Sequence, residues 1–140
     1  MEVGDLGLII QIVIFFILIL GLPLTKSAPK ETKNLVRHGY LTIFALILHT
    51  IIVIVAMILF SLDGYSELLS SPPLSLAATL THIILGVAAL VLGYVVVSFW
   101  ISKPLNELRC YRAKKLMLPL IVIWGLSLVI GAIVHLVGFF

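Results

Sequence analysis

Charge is scarce in this chain. Only 11% of the residues are charged and 62% are hydrophobic, with a mean hydropathy of +1.30. A soluble domain of 140 residues has too little interior to hide that much apolar surface, so lipid is the expected solvent. Cysteine is nearly absent too. Cys110 stands alone, which excludes an internal disulfide and a CxxC motif. No basic residue precedes Lys26, so the first apolar run lacks the basic leader of a signal peptide. Glu2 and Asp5 stand there instead, and no small-x-small cleavage site follows, so this run reads as a retained span. The apolar runs also lack polar alternation, which excludes barrel strands and leaves helices. No acid–base pair and no Ser/His/Asp set lies within them, which argues against a hydrolase or protease.

What is present is four apolar runs, at about 6–24, 36–62, 74–102 and 116–140. Each is close to or beyond the roughly 20 residues that a helix needs to cross a bilayer. The expected fold is all-α, a single four-helix transmembrane up-down bundle over 1–140. Its charge order carries the topology. Lys26, Lys30, Lys33, Arg37, Lys103, Arg109, Arg112, Lys114 and Lys115 all fall in or beside the first and third connections. The positive-inside rule then makes loops 25–35 and 103–115 cytoplasmic and puts both termini outside, in a multi-pass protein of the cell membrane. The net charge of +3 reflects anchors beside lipid headgroups, and no nucleic-acid surface is expected. Pro23 is expected to end span one. Gln11 is that span's one strongly polar interior residue and reads as packing. Asp63 to Pro73 reads as an outer turn, with Pro73 in the first turn of the next helix. The 103–115 connection is expected to be partly helical along the membrane surface.

The chemistry rests on four histidines. An ionisable side chain inside a span is a candidate functional residue by default. In span three, His82 shares a helix face with Gly86 and Gly93, four and eleven residues on. In span four, Gly131, His135 and Gly138 share a face at i, i+4 and i+7. His38 and His49 lie eleven residues apart on span two, in a stripe with Thr42, Ala45 and Ala56, about 16 Å apart along the axis. Measured from the cytoplasmic ends, His38 comes about 3 Å deep, His49 about 20 Å, His82 about 27 Å and His135 about 28 Å. His82 and His135 are therefore expected to be level, with His49 within about two turns of them. Three readings compete. Two imidazoles from facing helices can hold a b-type haem, with the glycines making room for the macrocycle. Two or three imidazoles can hold copper or zinc. Or each histidine simply hydrogen-bonds a neighbouring helix. His38, beside Arg37 and Gly39, reads as a further ligand, a quinone or phosphate contact, or a solvated interfacial residue. Cys110 lies near the same surface.

The order of these features resembles the YozB/CtaM-like family of small four-helix membrane proteins, often encoded near haem–copper oxidase or haem-synthesis genes. The resemblance runs from about Arg37 to Leu136. His38 with Ala45 in register, His82-Ile-Ile-Leu-Gly86, and the order Lys114, Lys115, Pro119, Trp124, Gly131 carry it. The family usually has a histidine where Cys110 stands and an aromatic where His135 stands, and His49 is additional. The resemblance implies a role around aerobic respiration: oxidase assembly, cofactor delivery or electron transfer.

The expectation is thus a small membrane b-type cytochrome. His82 and His135 are its expected axial ligands, with His49 in reserve. Gly86, Gly93 and Gly131 flank the haem, and His38 is a further candidate. The alternative is a non-catalytic assembly factor or accessory subunit of a respiratory oxidase, carrying copper. Expected partners are the lipid bilayer and a respiratory oxidase or quinone. The glycine-bearing faces equally suit a homo-oligomer.

Overall fold

The computed structural model describes residues 3–26, 32–63, 65–102 and 107–137, with side chains over 5–23, 36–56, 68–102 and 115–137 and at 34 and 58. The described chain is all-helical: α1 Val3–Lys26, α2 Thr32–Asp63, α3 Tyr65–Ser70, α4 Pro73–Ile101 and α5 Glu107–Leu136. Four stretches are long and apolar enough to cross a membrane: Asp5–Pro23, Val36–Ala56, Pro73–Ile101 and Lys115–Leu136. They match the four apolar runs, and the differences lie at the ends. Pro23 does not terminate α1, which continues to Lys26. The missing N–H costs one hydrogen bond close to the helix end, where few remain to be lost. The expected outer turn contains the short helix α3. Much of the 103–115 connection is the first turns of α5. Pro72 caps α4 with an extended backbone and Pro73 opens it, where a missing N–H costs nothing.

The helices pack in a ring. The α4/α5 interface is the most extensive, followed by α1/α2, and α1/α5 and α2/α4 complete the circuit. Small residues set the close approaches. A Cβ on Gly93 of α4 would lie 2.8 Å from Leu46 Cδ1 of α2, and one on Gly125 of α5 3.1 Å from Phe15 Cζ of α1. A Cβ on Gly39 of α2 would run into the ring of Trp100 of α4, which Tyr40 also touches edge-on at 5.8 Å.

The buried apolar centre is Ile14, Leu18, Ala45, Ala89, Val96, Met117, Leu120 and Trp124. Polar side chains share it: Thr42, His49, Ser75, Thr79 and Ser127 are all buried. The outside is the reverse, with Leu20, Phe44, Ile84, Leu118 and many other large apolar side chains exposed. Continuous apolar surface outside and polar side chains inside fit a bundle whose solvent is lipid.

The Gly39–Trp100 approach gives a direct test of this packing. Gly39→Val should lower the thermal midpoint in detergent, at a cost of about 1–3 kcal/mol, typical of an overpacked core. Leu20→Ala, at a side chain 71% exposed to lipid, should leave the midpoint nearly unchanged. An unshifted midpoint for Gly39→Val contradicts the α2/α4 contact.

Candidate functional site

Three histidines meet partners on neighbouring helices. His49 of α2 is 4% exposed, and its Nδ1 lies 2.9 Å from Gln11 Oε1 of α1. An amide oxygen only accepts, so Nδ1 carries the proton and donates. The ring lies 4.2 Å from that of Trp124 of α5, tilted by 44°. Its Nε2 is buried without a hydrogen-bond partner. In the neutral ring that nitrogen is a bare lone pair.

His82 of α4 repeats the arrangement. Its Nδ1 donates to the backbone oxygen of Ser127 on α5 at 2.8 Å. Ser127 Oγ in turn donates to the His82 carbonyl at 3.1 Å, which ties the two helices twice. The imidazole lies across Gly131, where a Cβ would come 2.5 Å from Cε1. With Nδ1 protonated, His82 also presents Nε2 as a lone pair. The two are linked through α5, where Trp124 packs on His49 and Ser127, one turn on, holds His82. Gln11, His49, Trp124, Ser127 and His82 thus form one polar layer across all four spanning helices.

His135 lies one turn beyond Gly131 on α5 and joins α1 instead. Its Nε2 lies 2.8 Å from Asp5 Oδ1. The Asp5 carboxylate accepts, so His135 donates from Nε2, where the other two donate from Nδ1. The expected pairing of His82 with His135 at one level therefore does not describe the contacts. On α5, His82 meets Ser127 and Gly131, while His135 holds the end of α1. At the other end of the ring, His38 packs against the backbone of Gly21, where a Cβ would be 2.9 Å from Nδ1. The His38 carbonyl accepts from Thr42 Oγ1 at 3.0 Å.

The room expected for a macrocycle goes to protein atoms at each glycine. Gly131 clears the ring of His82, Gly93 the end of Leu46, and a Cβ on Gly86 would sit 3.4 Å from Ser127 Oγ. Gly138 and the side chain of Cys110 lie outside the described residues. Among the described residues, no three His, Cys, Asp or Glu side chains stand together as a metal site. Gln11, Ser127 and Asp5 are the residues that sequence reasoning undervalued. Gln11 carried a signal, as the lone strongly polar side chain inside span one. Ser127 carried none, because it acts largely through its backbone oxygen.

No protein-family model matches the chain, and no curated protein or solved structure is significantly similar to it.

The Gln11–His49 bond can be tested alone. Gln11→Leu leaves the buried Nδ1–H without an acceptor, which should cost about 1–3 kcal/mol. Reversible unfolding in bicelles would measure it, and a variant as stable as the parent contradicts the bond.

Proposed function

We propose that this protein is a small membrane haem protein of the b type, passing electrons within a respiratory chain, with His49 and His82 as the residues that would hold the haem. One observation carries the reading. Two histidines on different helices each donate Nδ1–H to a carbonyl oxygen and keep Nε2 as a lone pair, one of them buried and unpartnered. Histidines that ligate metals are held in this way, because the outer hydrogen bond fixes the tautomer and raises ligand basicity. Of the buried polar atoms without a partner, Trp100 Nε1 and Thr79 Oγ1 offer no imidazole lone pair. His38 Nδ1 does, but no second imidazole is described beside it. His135, with Nε2 turned to Asp5, is read as a clasp between helix ends.

Bound haem would supply one-electron chemistry at iron. The chain supplies the rest. Gln11 and Ser127 aim the two imidazoles, and the apolar centre around Leu18, Ala89 and Leu120 excludes water, which bears on the potential. The frame for this is an up-down bundle in the cell membrane, with loops 25–35 and 103–115 cytoplasmic and the termini outside. The pairs Gln11–His49 with Gly21–His38, and Asp5–His135 with Phe15–Gly125, support the up-down order, since the numbering runs in opposite senses along each pair of helices. The distribution of lysine and arginine supports the sidedness.

The Trp124 ring favours a second reading. At 4.2 Å from His49, it occupies a side of the imidazole that a macrocycle would need to approach. A single copper ion needs no such room and accepts imidazole ligands. The protein would then carry copper as an assembly factor or accessory subunit of a respiratory oxidase. That role and the haem role both agree with the resemblance to the YozB/CtaM-like family.

The purified protein decides between them. The haem reading predicts a Soret band, with sharp α and β bands on dithionite reduction, lost in His49→Ala and in His82→Ala but kept in His38→Ala and His135→Ala. A colourless protein with one equivalent of copper supports the second reading. A colourless, metal-free protein, from cells that make haem and in the presence of copper, contradicts both.

A further inference from the structure

Outside the polar layer, the basic end of α2 carries a surface feature that the haem reading does not use. Arg37, Tyr40, Leu41 and Phe44 line a shallow, open groove on the lipid-facing side of the helix. They stand at i, i+3, i+4 and i+7, so they form one stripe. All four are exposed, while Thr42, Ala45 and His49 of the same helix are buried. The stripe runs from charge to hydrocarbon. Arg37 is the second residue of the Val36–Ala56 span, at the level where headgroups begin. Phe44 lies seven residues deeper, about 10 Å along the axis. Tyr40 forms part of the wall between them and touches Trp100 of α4 edge-on. Tyrosine and tryptophan at this depth mark the interface between headgroups and hydrocarbon.

We infer that this groove is a binding site for an anionic phospholipid, with the phosphate against the Arg37 guanidinium and an acyl chain along Tyr40, Leu41 and Phe44. The planar guanidinium can give a phosphate two parallel hydrogen bonds. Charge complementarity selects the lipid class. A zwitterionic lipid brings its own cation to the same level, whereas phosphatidylglycerol does not. The apolar walls select a lipid over a free anion, since they add nothing to the binding of phosphate alone. Lys115, at the start of the α5 span, supplies further positive charge at this end of the bundle but does not line the groove.

Trp100, in contact with the groove wall, is a built-in reporter, and Trp124 is buried in the core as a constant background. The purified protein is reconstituted into phosphatidylcholine vesicles with increasing fractions of brominated phosphatidylglycerol or brominated phosphatidylcholine, and tryptophan quenching is recorded. The anionic lipid should quench with an association constant about fivefold above that of the zwitterionic one, the size expected for one cation at a membrane surface. Arg37→Gln should bring the ratio to about one, while Lys115→Gln should leave it near the parent value. A parent ratio of one overturns the proposal. So does an equal loss in both variants, which would mean diffuse surface charge. Reversal of the anionic-lipid quenching by millimolar inorganic phosphate would assign the site to a free anion and overturn it too. Circular dichroism of each variant confirms that the helices remain, and each ratio compares two lipids on one preparation, so that any quenching by bound haem or copper is common to both.

Discussion

Lipid offers an imidazole no hydrogen bond, and that constraint organises the bundle. A polar side chain inside draws its hydrogen bonds from another helix or from its own backbone. His49 binds Gln11 and so joins α2 to α1, His82 binds Ser127 and joins α4 to α5, and His135 binds Asp5 and joins α5 to α1. At the remaining side of the ring, Thr50 Oγ1 and Tyr94 Oη share a hydrogen bond of 2.9 Å between α2 and α4. One polar contact thus marks each side. Apolar packing in lipid gains little from the hydrophobic effect, so these contacts and the small-residue approaches set which helices meet.

The same constraint separates the histidines by role. In the neutral ring, a bond from Nδ1 to a carbonyl leaves Nε2 as a lone pair, while a bond from Nε2 to a carboxylate occupies that nitrogen. His49 and His82 are of the first kind and His135 of the second. A satisfied core histidine would use both nitrogens or expose one to water. His49 does neither: it is anchored through Gln11, and its Nε2 is buried without a hydrogen-bond partner. Leaving a polar atom so placed costs about 1–3 kcal/mol, a cost that a bound metal would remove.

Much of the architecture was legible in the residues. Apolar runs of sufficient length fixed the number of spanning helices, and the stripe of Thr42, Ala45 and His49 marked the inner face of α2 correctly. Ala56 is the exception, since it is exposed at the far end of that stripe. Depth counting was less reliable. It assigned His82 and His135 to one level, but the contact register along α4 and α5 sets His82 against Ser127 and Gly131. Counting along separate helices carries no information on tilt or on where two helices touch. The glycines misled for a related reason. A glycine on a face signals close approach, but the sequence does not say whether a cofactor or a side chain comes close, and here Leu46, Ser127 and the His82 ring do. In the sequence Asp5 stands out only as an acid where a signal peptide would be basic, and the structure makes it the partner of His135.

Nitrogen-15 NMR of the histidine-labelled protein in bilayers, with and without added haem, reads the central claim at the atoms concerned. The account predicts that His49 and His82 carry the proton on Nδ1 and that only their Nε2 resonances shift when haem is added. Protonation of His49 at Nε2, or Nε2 resonances of both rings indifferent to haem and to copper, would contradict it.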